Sequence, residues 1–158
     1  MDLTERTSHP GTSISMSDER RLLNMQTDDD ERWEAHLDAY RRADGLYRGG
    51  KLKEALLTFR VALSLEPGDS DTLWAIADCY SELGKYWKAK SLYKQAMRDA
   101  DPGDKGDLTY NIANALLDAG QPRAALKLYR RVPRSSKSFL LAKRNAILAV
   151  RRVGSRRA

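Results

Sequence analysis

One segment of this chain occurs three times, at intervals of 34 and 36 residues. Each copy begins with a glycine, has an alanine five positions later and an aromatic residue four positions after that alanine. The copies contain, in that order, Gly50, Ala55 and Phe59; Gly84, Ala89 and Tyr93; and Gly120, Ala125 and Tyr129. Recurrence at this period is typical of solenoids, in which each unit buries its apolar face against its neighbours. It favours a protein that binds other chains over an enzyme.

The length of 158 residues and the apolar content of 41% suit one globular domain. Cys79 is the single cysteine, so the sequence contains no internal disulfide. No apolar run approaches the ~20 residues that span a bilayer, and the N-terminus lacks the basic and apolar segments of a secretory signal. We therefore expect a cytoplasmic protein.

Charge divides the chain into two parts. Residues 119–158 hold twelve Lys or Arg and no Asp or Glu, whereas residues 1–118 hold sixteen basic and 22 acidic residues. The chain is thus a mildly acidic body with a strongly basic end.

From Glu31 onward, apolar residues recur at spacings of three and four, which predicts an all-α fold of seven helices. The carboxylates after Thr27 mark the first helix start. The second helix has Leu52 and Leu63 on its apolar face and ends before Pro67. Later helices are predicted over 71–83, 86–99, 107–119, 122–132 and 137–153. Residues 1–30 are predicted to be a flexible tail, with a short helix after Ser17 as the alternative. The repeat region is predicted over 31–136 and contains repeats over about 36–69, 70–105 and 106–136. It is followed by a capping helix over 137–153 and a basic tail over 154–158.

Small residues at equivalent positions predict where paired helices cross. These positions hold Ala43, Ala77 and Ala113 in the first helices and Ala55, Ala89 and Ala125 in the second helices. Large residues are expected to fill the intervening gaps, namely Leu46, Tyr80, Leu116, Phe59, Tyr93 and Tyr129. The three repeated glycines are expected to end helices with a positive φ.

These residues resemble the tetratricopeptide repeat (TPR) family over about residues 36–137. The middle repeat matches the family pattern through Leu73, Ile76, Ala77, Tyr80, Gly84, Tyr86, Ala89, Tyr93 and Ala96. Arg42, Val132 and Lys137 depart from it. The resemblance implies an α-α superhelix of three hairpins followed by a capping helix.

In this family the first helix of each hairpin lines a concave groove that holds ligands. By that resemblance, the predicted groove residues are Leu37, Tyr40, Asp44, Tyr47, Asp71, Trp74, Asp78, Glu82, Asp107, Tyr110, Asn114 and Leu117. The alternative is that the aromatic residues pack between hairpins and the carboxylates are solvated. Tyr40 stands where relatives that hold chaperone C-termini place Lys, so such a ligand is not expected. The hypothesis is a peptide partner with apolar and basic residues.

The basic end has two interpretations. The predicted basic patch comprises Arg130, Arg131, Lys143, Arg144, Arg151 and Arg152. These residues are either a solvated cap or a surface for nucleic acid, an anionic membrane or an acidic protein. Contact with the acidic groove of a second copy, giving a homo-oligomer, is a further option.

The sequence contains no phosphate-binding loop, no metal-ligand cluster and no nucleophile with a base, so we expect no cofactor, no metal and no catalytic residue. His36 is interpreted as a surface residue and Cys79 as an inert core residue. Trp87 is an exposed hot spot or a contact between copies.

Three functions remain. The leading one is a non-enzymatic adaptor or scaffold that binds a peptide segment in the groove. The second follows from a looser resemblance in architecture to the class II chaperones of type III secretion, which hold translocator segments. The third is association with nucleic acid or an anionic membrane through the basic end.

Overall fold

The computed structural model describes residues 15–155, except for the side chains of residues 18, 19, 22 and 23. These residues form seven α-helices and no strand. The helices are α1 (Met16–Arg48), α2 (Leu52–Leu65), α3 (Ser70–Glu82), α4 (Tyr86–Asp99), α5 (Lys105–Asp118), α6 (Pro122–Tyr129) and α7 (Phe139–Gly154). Within the described range, no helix combines the length and the apolar character needed to cross a bilayer.

The helices pack as a solenoid of hairpins. The pairs α1 and α2, α3 and α4, and α5 and α6 form three hairpins, which stack through the contacts of α2 with α3 and of α4 with α5. The last helix, α7, packs on α6 and α5. The predicted all-α superhelix of three hairpins is confirmed. In such a stack the core is a continuous strip between neighbouring helices.

The hairpin crossings lie at the predicted alanines. All six are fully buried, with 0% of their surface exposed: Ala43, Ala55, Ala77, Ala89, Ala113 and Ala125. Five of the predicted gap fillers are also buried, and Leu46 is half-buried. Because a methyl group is all that separates the paired backbones, helices approach closely at these points and larger side chains pack above and below them.

A glycine with positive φ ends the first helix of every hairpin, as predicted. The φ angles are 74° at Gly50, 70° at Gly84 and 76° at Gly120. The amide after Gly84, that of Lys85, donates to the carbonyl oxygen of Tyr80 at 2.8 Å, and the other two turns repeat this bond. This is a Schellman arrangement, which satisfies the last carbonyls of a helix and needs a left-handed residue that glycine supplies without strain.

The N-terminal region differs from the prediction. Helix α1 begins at Met16, so Asp28, Asp29 and Asp30 lie inside it and are not a helix start. The physical reason is that residues 16–44 contain no Pro or Gly to interrupt a helix. The predicted flexible tail covered 1–30; residues 1–14 of it lie outside the described range. The flexibility of the rest stays a prediction.

His36 is buried, which corrects its interpretation as a surface residue. Only 2% of its surface is exposed. Its Nδ1 lies 3.1 Å from the carbonyl oxygen of Ala62, and its ring stacks on Trp33 with the ring centres 5.0 Å apart. The end of α2 covers this histidine, so its contacts are those of a structural residue.

Candidate functional site

The first helices of the hairpins, α1, α3 and α5, contribute side chains to one continuous surface. Two cavities of about 170 and 140 Å³ open on it. Both are lined by Tyr47 and Asp78, so they adjoin. We call the residues that line them the groove, which comprises Tyr40, Asp44, Tyr47, Phe59, Asp71, Trp74, Ala75, Asp78, Ser81, Glu82, Tyr93, Asn111 and Asn114.

Eight of the twelve predicted groove residues line these cavities: Tyr40, Asp44, Tyr47, Asp71, Trp74, Asp78, Glu82 and Asn114. The other four lie elsewhere. Leu37 and Tyr110 are half-buried outside the two cavities, while Asp107 and Leu117 are 7% and 4% exposed. Asp107 and Leu117 are therefore corrected to buried residues.

The aromatic side chains of the groove pack against neighbouring residues and also line a cavity. Packing between hairpins and contact with a ligand, the two roles predicted for them, are therefore compatible. Tyr40 meets Phe59 edge to face, with ring centres 5.4 Å apart. Tyr40, Tyr47 and Trp74 are half-buried. Burial and the carboxylate of Asp78 raise the pKa of the Tyr47 hydroxyl to about 12, so this hydroxyl keeps its proton and can donate to a ligand.

Asp78 lies at the junction of the two cavities and is held by the second helix of its own hairpin. The Tyr93 hydroxyl donates to Asp78 Oδ1 at 2.6 Å. Burial raises the pKa of the Asp78 carboxyl to about 6, although the hydrogen bond from Tyr93 acts in the opposite direction. At neutral pH this side chain is a half-buried carboxylate that faces the groove.

The third hairpin repeats this link with a neutral partner. The Tyr129 hydroxyl donates to Asn114 Oδ1, also at 2.6 Å. The first hairpin has Phe59 at the equivalent position, which has no hydroxyl. There Asp44 instead pairs with the exposed Arg48, at 2.9 Å between Oδ2 and Nε. Asp44 is thus a groove carboxylate that no second-helix tyrosine holds.

Helix α7 covers the third-repeat end of this surface. Asn145 Nδ2 donates to the Tyr110 hydroxyl at 3.2 Å and to Asn114 Oδ1 at 3.0 Å. An Arg152 guanidinium N–H donates to the carbonyl oxygen of Leu117 at 3.1 Å. At this end of the surface α7 thus contacts Tyr110 and Leu117, neither of which lines the two cavities.

Asp107 holds the connection before α7. It accepts hydrogen bonds from the Ser136 hydroxyl and, at 2.9 Å, from the Ser138 backbone N–H. Burial acts to raise the pKa of this carboxyl, but the donors Ser136 and Ser138 outweigh it, so the pKa lies below its ordinary value. Ser136 is 29 residues away in sequence, and no local pattern indicates such a partner.

Sequence reasoning assigned neither Asn111 nor Tyr93 to the groove, although both line its second cavity. Tyr93 was identified only as a gap filler. Asn111 follows Tyr110 and aligns with Ala75, 36 residues earlier, which lines the first cavity. Neither position was predicted from the sequence, but once the structure places Ala75 in the groove, the repeat alignment indicates Asn111 as well.

The predicted basic patch is exposed at all six positions. Four of its members lie on α7 and the other two follow α6 directly. Arg152 approaches Asp118, with 4.0 Å between Nη1 and Oδ1. Trp87 is 54% exposed on α4, outside the groove, and the Lys90 ammonium lies 4.9 Å from its ring centre.

Cys79 is fully buried in α3. Burial raises the pKa of its thiol to about 11, which makes a thiolate scarce at neutral pH. Among the side chains that the structure describes, no three of His, Cys, Asp or Glu gather closely enough to hold a metal ion.

Residues 70–98, which comprise α3 and nearly all of α4, match the tetratricopeptide repeat family. A search of curated protein sequences finds no match to the chain.

Several solved structures share the fold. The first TPR of Spaghetti (RPAP3), bound to the HSP90 peptide SRMEEVD, aligns with a TM-score of 0.68 and 16% identity over 77% of this chain and 94% of that chain. YrrB, described as a TPR protein with an unusual peptide-binding site, aligns with a TM-score of 0.64 and 22% identity over 79% of this chain and 63% of its own. The Yersinia enterocolitica type III secretion chaperone SycD was solved in complex with a peptide of the translocator YopD. It aligns with a TM-score of 0.62 and 18% identity over 77% of this chain and 93% of its own.

Proposed function

We propose that this tetratricopeptide repeat protein is a non-enzymatic adaptor that binds a peptide segment of another protein in its groove. The observation that carries the proposal is the composition of that groove. Three half-buried aromatic side chains alternate with carboxylates across two adjoining cavities. Aromatic side chains of this kind are typical anchors at interfaces, because they bury a large area with little loss of entropy.

The charge of the groove selects the peptide. The residues that line the two cavities include four carboxylates, those of Asp44, Asp71, Asp78 and Glu82, and no Lys or Arg. A peptide with basic side chains beside apolar ones complements such a surface. An acidic peptide such as the SRMEEVD bound by Spaghetti would meet like charges, which agrees with the presence of Tyr40 where chaperone-tail receptors place Lys.

A peptide selection tests this proposal. Random peptides displayed on phage and selected on the full chain are expected to be enriched in Arg or Lys next to apolar residues. The affinity of one enriched peptide is then measured by calorimetry against the double variant Tyr40→Ala, Trp74→Ala. A loss of about 2 kcal/mol or more is expected, since central aromatic anchors carry most of the binding energy.

The matched control is Trp87→Ala, which removes an exposed tryptophan outside the groove and is expected to leave the affinity unchanged. Circular dichroism verifies that each variant is folded. Enrichment of acidic peptides, or an unchanged affinity in the folded double variant, would contradict the proposal.

A second candidate is a chaperone that keeps a translocator-like segment bound. The likeness in fold to SycD, which was solved with a peptide of YopD, favours it. Co-expression separates the two functions: a chaperone is expected to keep an otherwise insoluble secreted partner in solution, whereas an adaptor binds a partner that is already soluble. Loss of that solubilisation in the double groove variant would tie the activity to the groove.

A further inference from the structure

Helix α7 occupies the position of a first helix in a hairpin. In the first repeat, a cavity lies between residues 50–54 and Leu83, at the end of α3. An equivalent cavity lies between residues 120–124 and Val153, near the end of α7. The residues that line the second cavity follow those that line the first by 70 positions, since 120–124 correspond to 50–54 and Val153 corresponds to Leu83. The same displacement relates Thr72 and Cys79 to Ala142 and Ala149, and all four are fully buried. Helix α7 therefore packs on the third hairpin in the way that α3 packs on the first hairpin.

This register reveals which side of α7 is uncovered. Ala77 and Tyr80 of α3 are 0% and 3% exposed, in the hairpin with α4. Their counterparts on α7 are Ile147 and Val150, which are 59% and 50% exposed. The positions that a second helix covers in each of the three hairpins are thus open on α7, because no second helix follows it within the described residues.

Exposed apolar side chains are concentrated on α7. Of the eleven large apolar side chains that the structure describes as exposed, five lie on this one helix. Leu140, Ile147 and Val150 are on the uncovered side, whereas Leu141 and Leu148 are on the side that corresponds to the groove. The sequence pattern predicts that this helix caps the solenoid, and such caps need a polar outer face. A concentration of exposed apolar side chains on one helix is the mark of an interaction surface.

We propose that this side of α7 binds an acidic amphipathic helix of a partner protein, which takes the place of a fourth second helix. We call the surface the open face of α7; its apolar stripe is Leu140, Ile147 and Val150, and its basic rim is Lys143, Arg144 and Arg151. All six residues are exposed. None of these six residues lines either of the groove cavities, so the inference does not rest on the proposed function.

The chemistry of the occupant follows from the rim. Residues 119–158 contain no Asp or Glu, so nothing in this part of the chain neutralises the rim from the same surface. Glu or Asp side chains flanking an apolar seam complement it, and an amphipathic helix presents both at three- and four-residue spacing. A second copy of α7 would bring the same basic residues and would be repelled.

The spacing of the occupant follows from Ile147. In the three hairpins the equivalent residue is an alanine, at which two helix backbones approach closely. An isoleucine at this point holds an incoming helix further out unless that helix has Ala or Gly opposite it, because the distance between helix axes depends on the side chains at the contact. The open face therefore favours a partner helix with a small residue at the centre of its apolar seam.

Fluorescence anisotropy with designed peptides tests the proposal on the full chain. The probe is a labelled peptide of about twenty residues with Leu on one face, Ala at the centre of that face and Glu elsewhere. It is expected to bind at low salt and to bind at least about tenfold more weakly to Ile147→Asp, in which a carboxylate faces the seam. Higher salt is expected to weaken binding, since the rim is solvent-exposed.

Three controls accompany this measurement. Leu57→Asp places the same charge at an exposed leucine of α2 and is expected to leave binding unchanged. A peptide with Lys in place of Glu is expected not to bind, and a peptide with Leu in place of the central Ala is expected to bind more weakly. The double groove variant is expected to retain binding, so failure of the groove proposal and failure of this one are distinguishable.

Four results would overturn the inference. The first two are equal binding of the Glu and Lys peptides and undiminished binding by folded Ile147→Asp. The third is self-association in analytical ultracentrifugation that Ile147→Asp abolishes, which would make the open face a contact between copies. The fourth is binding to phosphatidylserine vesicles without binding to the Glu peptide, which would make it a membrane surface.

Discussion

Helices α3 and α7 have the same place in the solenoid and opposite chemistry. On its groove side α3 carries Asp71, Trp74, Asp78, Ser81 and Glu82. Seventy residues later, the equivalent positions of α7 hold Leu141, Arg144, Leu148, Arg151 and Arg152. The repeat therefore sets where a side chain lies but not its charge, and one surface changes from acidic and aromatic to basic and aliphatic along its length. A ligand that suits the first part does not suit the last.

The same two helices differ in what covers them. Helix α3 is packed between α2 and α4, whereas α7 contacts α6 and α5. A residue of α3 that α4 covers therefore contributes to the free energy of folding. The equivalent residue of α7 is exposed and is available for contact with a partner.

The largest expected effect comes from exchanging the residues at the paired positions Ala77 and Ile147. Ala77→Ile inserts a branched side chain at a helix crossing that has no free space, and it is expected to cost about 1–3 kcal/mol of stability. Ile147→Ala removes an exposed side chain and is expected to change stability by less than about 0.5 kcal/mol. Urea denaturation measures both. Equal costs for the two variants would contradict the assigned register of α7.

An effect of similar size is expected from the Asp78 carboxyl. Its pKa is about 6 in the folded protein against an ordinary value of 3.8, so the folded state holds this proton more tightly than the unfolded state. Its contribution to stability therefore falls as pH rises from about 4 to 6, and the whole penalty is present at pH 7. Asp78→Asn is expected to raise the stability at pH 7 by on the order of 3 kcal/mol.

The amide is suited to this position because Asn114 already accepts the equivalent hydrogen bond, from Tyr129. Thermal or urea unfolding from pH 4 to pH 8 checks the sign: the gain over the wild type should vanish at pH 4. The control is Asp30→Asn, which makes the same change of side chain at an exposed position of α1. A variant less stable than the wild type at pH 7 would show that the charge of Asp78 is stabilising.

The smallest of the three effects concerns the attachment of α7. Asn145→Ala removes the two hydrogen bonds to Tyr110 and Asn114 and is expected to cost about 1 kcal/mol. The matched control is Gln95→Ala, at an exposed position of α4. Hydrogen exchange should show that α7 loses protection relative to the wild type while α3 does not. Unchanged protection of α7 would mean that its other contacts, the hydrogen bond from Arg152 to Leu117 and the packing of Ala142 and Ala149, are enough to hold it.

Much of the fold could be predicted because the repeated positions are constrained by geometry that leaves a trace in the sequence. A helix crossing with room only for a methyl group requires an alanine, and a helix end in the left-handed conformation favours a glycine. The helix boundaries of the hairpins could therefore be predicted to within about two residues at most ends. The early end of α6, at Tyr129 instead of Val132, is an exception. Helix α6 ends four residues before Pro133, and the exact end of a helix depends on its capping contacts, which periodicity does not predict.

The groove was less predictable, because periodicity does not report what covers a side chain. Asp107 has the position of a groove residue, but Ser136 and Ser138 satisfy it from a connection that does not repeat. His36 has a polar side chain, yet the carbonyl oxygen of Ala62 provides it with a buried partner. The exposure of Ile147 likewise depends on a helix that is absent from the described residues, whereas the sequence pattern alone indicates a buried apolar face.

The nearest-neighbour packing of the hairpins has a kinetic consequence. Every described helix contacts chiefly the helices next to it in sequence, so nearly all loops that close during folding are short and the loss of chain entropy is modest. Folding can then begin at one hairpin and spread to both sides, and opening begins at the ends. Amide protons in α3 and α4, which have neighbours on both sides, should exchange last. Those in the first half of α1, where no second helix lies alongside, should exchange first.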